Sequence, residues 1–219
     1  MAPANYLYNR WQEQCLVFNK NLLLVRNRPG RKTVHDLRVA VKKLKSVIKL
    51  VAELPGEAEL RFDSIAALFR YTGHYRDADM SLYLLTETCR EEQLDLPSFT
   101  SYLKSIISIT RRAAKTNAAL PHEAELNILT VEIGKQLAPV TSEQLNKLTE
   151  QLATDIITEV QHLYSNFKEN AHPVRIKLKR LYYWLTHSTV NPLFDKKQLK
   201  ILDKALTALG NWHDYHVLL

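Results

Sequence analysis

Sliding the 219-residue sequence past itself by 137 positions, without a gap, superposes His35 on His172, Arg38 on Arg175 and Lys42 on Lys179. The same offset brings together Leu44 and Leu181, Pro55 and Pro192, Gly73 and Gly210, and Asp77 and Asp214. Lys43 meets Arg180, and the apolar Phe62, Ile65 and Phe69 meet Leu199, Leu202 and Leu206. A shared His-x-x-Arg-x-x-x-Lys, followed 38 residues after the His by Gly-x-x-x-Asp, reads as an internal duplication. Whatever fold one half adopts, the other should repeat.

The fold class follows from punctuation. Only five glycines occur, and Pro29, Pro55, Pro97, Pro121, Pro139, Pro173 and Pro192 fall between long apolar-periodic segments, while strand signals are nearly absent. The expected fold is all-α. Helices are expected over residues 5–27, 33–53, 57–71 and 77–92, with Gly73 in the left-handed position that ends a helix. The second half should repeat this over 142–169, 173–187, 196–209 and a start at 214, with Thr141-x-x-Gln144 as a capping box. With five residues after Asp214, that last helix should be short or missing. Residues 98–117 and 122–138 read as two linking helices. The expected organisation is therefore two pseudo-symmetric four-helix bundles in one domain: 1–95, a linker over 96–140, and 141–219.

Charge is segregated along the chain. Residues 26–49 carry nine Lys or Arg against Asp36 alone, and residues 172–204 carry eight against Asp195 and Asp203. These segments net +8 and +6, so a formal total of +7 leaves the remainder at −7. An acidic scaffold bearing two basic segments points to a polyanionic partner. Cys15 and Cys89 are too few for a disulfide framework, show no zinc-ligand spacing, and read as small core residues. No signal-peptide pattern and no run near the ~18 apolar residues of a membrane span occurs, so a soluble cytoplasmic protein is expected.

On a helical wheel at ~100° per residue, Leu37, Val41, Leu44, Ile48 and Val51 form a core stripe. Arg31, Arg38, Lys42, Lys45 and Lys49 form a row beside it with His35 at its edge, and Lys43 points elsewhere. The second copy repeats the layout, with Val174, Leu178, Leu181 and Leu185 toward the core and His172, Arg175 and Lys179 on the basic side. Like charges at i, i+4 cost a few tenths of a kcal/mol per pair. An unrelieved row is better explained by an anion that neutralises it than by solvation, the alternative being pairing with carboxylates of neighbouring helices. His35 and His172, at the expected helix starts, would donate to a phosphate oxygen beside free backbone N–H groups, or else serve in capping or packing. Asp77 and Asp214 read foremost as N-caps of the following helices, and otherwise as holders of a basic side chain.

The segments "HDLRVAVKKLK", "GHYRDAD", "HPVRIKLKRLYYWL" and "LGNWHDYHV" resemble the signatures of the CHAD domain, a histidine-containing α-helical domain, from about residue 5 to the end. The resemblance implies a non-enzymatic module of two pseudo-symmetric four-helix bundles that binds inorganic polyphosphate along a basic surface or channel, without a cofactor or metal. Carried over by position, it implies a binding set of His35, Arg38, Lys42 and Lys45, with His172, Arg175, Lys179 and Arg180 from the second copy. Lys49 extends the first row. The chain departs from the pattern at Tyr182-Tyr183, where the family usually places an Arg before its Tyr.

Other readings are weaker. His35-Asp36 and His213-Asp214 suggest a metal-dependent phosphohydrolase, but Asp36 aligns with Pro173, so the dyad is not kept across the repeat. "EAELR" at 57–61 mimics a triphosphate-tunnel run, yet it sits in a helical pattern where that chemistry wants alternating strand faces. Nucleic acid or another polyanion is the stronger rival partner, although aromatics for base stacking are confined to Tyr182 and Tyr183. The expected partner is inorganic polyphosphate, in the cytoplasm or at polyphosphate granules.

Overall fold

In the computed structural model, residues 6–55, 60–187 and 194–218 are described. They form eight helices and no strand: α1 (Tyr6–Asn27), α2 (Arg31–Val51), α3 (Asp63–Glu91), α4 (Pro97–Ala118), α5 (His122–Leu137), α6 (Ser142–Tyr164), α7 (Phe167–His187) and α8 (Lys196–Leu218). Among the described residues no helix is long and apolar enough to cross a membrane.

Most expected helices lie within a few residues of their sequence-based limits, but several expectations change. The helices foreseen over 57–71 and 77–92 are one 29-residue helix, α3, which runs unbroken through Gly73. Likewise α8 passes through Gly210 to Leu218. Neither glycine ends a helix, and Asp77 lies inside α3 rather than capping a new one; the Asp214 side chain is outside the described residues. Pro173 does not separate two helices but sits within α7, so His172 is the sixth residue of that helix. His35, fifth in α2, also lies past the four unsatisfied amides of a helix start. Both histidines thus lack the free N–H groups expected beside them. Of the "EAELR" run, 57–59 fall outside the described residues, and α3 begins only at Asp63.

The chain forms two compact units, neither of them a continuous stretch: one of Gln12–Leu44 and Glu59–Val131, the other of Met1–Trp11, Lys45–Ala58 and Glu132–Leu219. Helices α1, α2 and α5 contribute a segment to each. In the first unit α3 packs along α4. The start of α3 has no side-chain cap of its own at Phe62. Instead Glu125 of α5 accepts from the Ser64 and Ile65 amides (2.9 Å each) and from the Ser64 hydroxyl (2.8 Å), satisfying donors a helix start leaves open. The fully buried His122 lies 3.1 Å from that hydroxyl and 2.8 Å from the Asn117 carbonyl. Arg26 of α1 reaches the Ala118 and Leu120 carbonyls at the end of α4 and pairs with Glu123 at 2.7 Å.

In the second unit α7 packs against both α6 and α8. Thr141 and Gln144 form the expected capping box at the start of α6, with bonds of 3.2 and 2.8 Å. The core stripe foreseen on α2 is buried throughout, from Leu37 to Val51, and Val174, Leu181 and Leu185 are buried on α7, whereas Leu178 is only half-buried. Cys15 lies 4.0 Å from the Thr130 hydroxyl, and burial pushes its thiol up to about 12, as suits an inert packing residue.

Candidate functional site: two sets of cations

In the unit that contains residues 12–44, Arg38 is anchored rather than free-standing. One terminal nitrogen donates to the Phe69 carbonyl of α3, and the guanidinium lies 3.9 Å from the Phe69 ring centroid. The same nitrogen rests on Gly73, where an added Cβ would come within 2.9 Å of it. Burial pushes Arg38 down to about 10, with Asp77 pulling it up and Arg76 pushing it further down. It is still a cation at neutral pH. Lys42, one turn on, holds its ammonium 5.8 Å from the same Phe69 ring, so one aromatic ring has two positive charges about it. Asp77 also pairs with Arg76 at 3.1 Å, which favours its reading as an organiser of cations.

His35 is exposed and opens elsewhere. It lines a groove of about 340 Å³ with Gln14, Lys20 and Asn21 of α1 and with Lys43, a neighbour of α2 that the helical wheel had turned away from the row. Arg31 is committed to structure, bonding Asp79 at 2.6 Å and lying over the Tyr83 ring.

In the other unit the second half of α2 meets α7. Trp184, almost wholly buried, donates its indole N–H to the Ser46 carbonyl at 3.0 Å. Arg180, one turn back on α7, lies 5.2 Å over the Trp184 ring. Its Nε is buried with no hydrogen-bond acceptor among the described residues. Lys49 records the result. Its pKa is pushed down by burial, then by Arg180 and by Lys45, against a single opposing pull from Glu53. Lys45 and Lys49 are exposed, and no ion pair engages either among the described residues. Cations from both halves of the sequence repeat therefore crowd one another here. Glu159 also acts on Arg180, so the like charge is concentrated at Lys49.

Further along α7, the Arg175 guanidinium lies beside Gly210 of α8, 3.8 Å from where a Cβ would stand. The pairing of Arg38 with Gly73 thus recurs at the equivalent residues. Lys179 is half-buried and His172 exposed. Lys177 is paired with Glu159 and holds it below the usual carboxylate range, which leaves this lysine a structural task. At the Tyr182-Tyr183 departure, Tyr182 bonds Asp203, and burial pushes Tyr183 up to about 12. Among the described residues no group of three or more His, Cys, Asp or Glu is placed to hold a metal ion.

Sequence reasoning missed Phe69 and Trp184 as platforms and Gly73 and Gly210 as the surfaces their arginines rest on. The signal was the four-residue spacing Phe69, Gly73, Asp77, which puts all three on one face of a helix.

A family profile described as the CHAD domain matches residues 10–219. A crystal structure of the CHAD domain from the plant Ricinus communis superposes with a TM-score of 0.75 at 22% identity, covering 95% of this chain and 74% of that one. At that identity the likeness is one of fold. No curated protein matches the sequence. With its helical fold, its basic His-Arg-Lys helices and a profile match over nearly its whole length, the chain belongs to the CHAD domain family.

Proposed function

We propose that this protein binds inorganic polyphosphate, without chemistry on it, through Arg38 and Lys42 on the Phe69 face and through Lys45, Lys49, Arg175, Lys179 and Arg180 along α2 and α7. The observation that supports the reading is the gathering of Arg38 and Lys42 about the one Phe69 ring, together with Lys49, which feels like charge from Arg180 and Lys45 in the other unit. Polyphosphate carries about one negative charge per phosphate and no bases to stack or read, so it asks only for fixed cations. Arg supplies forked donors and Lys mobile point charges. His35 on α2 and His172 on α7 are exposed and would serve as auxiliary donors. The cytoplasm, including polyphosphate granules, is the location this partner implies.

The test is titration of purified protein with long-chain polyphosphate, with duplex and single-stranded DNA as competitors at fixed salt and with phosphate release followed in parallel. Binding is expected to be lost in the charge-reversed variant Arg38→Glu, Lys42→Glu, Arg175→Glu, Lys179→Glu, with helicity retained by circular dichroism. Equal or tighter DNA binding would sink the reading in favour of a nucleic-acid protein. Steady metal-dependent phosphate release would make it a hydrolase.

A further inference from the structure

Helix α4 carries a surface that the binding reading does not use. From 96 to 110 the sequence "LPSFTSYLKSIISIT" holds one charge, Lys104. Leu103 and Ile107 turn inward and are buried. A second apolar row, Phe99, Tyr102, Ile106 and Ile109, is spaced i, i+3, i+7, i+10, the a/d spacing of a helix seam. Ile106 is half-buried and the other three face out: Phe99 is 47% exposed, Tyr102 58% and Ile109 65%. Phe99 and Tyr102 stack at 6.3 Å, presenting one flat aromatic surface. Beside the row run Ser98, Ser101, Ser105 and Ser108, small residues that let another backbone come close. Ser105 already returns its hydroxyl to the Tyr102 carbonyl at 2.7 Å, so it makes little claim on water. A solvated helix face ordinarily mixes charges, and a contiguous apolar row with a small-residue flank marks a contact surface.

Charge at the two ends selects the occupant. Glu91, Glu92 and Asp95 precede the row, all exposed, while Arg111, Arg112 and Lys115 close it. A second copy laid parallel would set like charges side by side. Laid antiparallel, it sets acidic end against basic end and opposes the two helix dipoles. The register that stacks Phe99 on Ile109 and Tyr102 on Ile106 also carries Asp95 to the neighbourhood of Arg112 of the second copy. We infer that α4 is the dimerisation helix of this protein, forming an antiparallel two-fold seam with α4 of a second copy.

Sedimentation equilibrium of the full chain over a concentration series should show a monomer–dimer equilibrium. Ile109→Lys, and separately Tyr102→Lys, should weaken it at least about tenfold, since each removes an apolar side chain buried in both copies. Both positions are exposed within the single chain, so each variant should keep its helicity. In a background with Cys15 and Cys89 changed to Ser, Ser105→Cys near the two-fold axis should cross-link to itself on oxidation. Ser98→Cys should not, but should cross-link when mixed with Arg112→Cys. A chain that stays monomeric throughout, a dimer indifferent to both lysine variants, or efficient Ser98→Cys self-linkage would each overturn the inference.

Discussion

Gly73 and Gly210 occupy equivalent positions in the repeat, yet an added methyl group would do different things at each. Both sit inside helices, where replacing Gly by Ala favours the helix by roughly 0.5–1 kcal/mol. At Gly210 the new Cβ would stand 3.8 Å from the Arg175 guanidinium, an ordinary contact. At Gly73 it would come within 2.9 Å of an Arg38 nitrogen that the Phe69 carbonyl and ring already hold. Gly210→Ala should therefore raise the melting temperature and leave polyphosphate affinity unchanged. Gly73→Ala should gain little stability and lose binding several-fold, because Arg38 must leave its seat; thermal melts paired with polyphosphate titrations separate the two. Lys49 offers a pH test. Burial, Arg180 and Lys45 lower its free-protein pKa, whereas bound phosphate would raise it. A group whose pKa rises on binding strengthens binding below its free value and stops doing so as pH climbs through that value and beyond. Affinity should thus begin to fall at a pH below the ordinary lysine range, and Lys49→Arg should move that onset upward in a titration series across alkaline pH. The arginines, lysines and histidines of the candidate site are nominated one by one by the sequence, and the structure adds what some of them rest on. Those platforms were not legible, since a phenylalanine and a tryptophan in an apolar-periodic helix look like any other core residue.

Among the elements, α3 shows where sequence logic bends. Gly-x-x-x-Asp resembles a helix stop followed by a new cap, but the buried residues Ile65, Leu68, Thr72 and Tyr75 continue the helical period straight through it. Gly73 leaves room for the Arg38 guanidinium and makes no turn. Burial along one continuous face outweighs the ~1 kcal/mol that a mid-helix glycine costs. Pro173 within α7 makes the same point, since α6 and α8 pack on α7 and hold the helix across it. By contrast, the Thr141–Gln144 capping box is local chemistry and was legible as such. The start of α3 is the opposite case, capped from another helix some sixty residues away. Glu125→Ala would leave the Ser64 and Ile65 amides and the Ser64 hydroxyl without their acceptor, beside a wholly buried His122. A lost cap with buried unsatisfied donors costs about 2 kcal/mol, which for a chain of this length lowers the melting temperature by roughly 4–8 °C. Calorimetry of Glu125→Ala should show that drop, while polyphosphate affinity below the transition stays as in the parent.

At the scale of the whole molecule, the formal charge of +7 is a poor guide to binding, because it is the small difference between two strongly basic segments and an acidic remainder. Structure sharpens the division further by showing which cations are already spent. Arg26, Arg31 and Lys177 belong to the basic segments but are paired with Glu123, Asp79 and Glu159. Lys45 and Lys49 are exposed and face like charge. Charges farther apart than about 10 Å are largely screened at ~0.1 M salt, so a polyanion responds to local crowding and not to the protein's total. Two double variants that change the total equally test this. Lys45→Ala with Lys49→Ala and Lys104→Ala with Lys147→Ala each remove two exposed lysines, the second pair lying outside both basic segments. If net charge governed binding, both would weaken it alike. Local crowding predicts otherwise: the first should cut affinity at least tenfold and flatten the dependence of log affinity on log salt by about one for each cation removed, by analogy with counterion release from nucleic acids. The second should leave both the affinity and the salt slope close to the parent. A polyphosphate titration repeated at several salt concentrations measures the two quantities together, and equal losses in the two variants would show that the protein holds its partner by total charge alone.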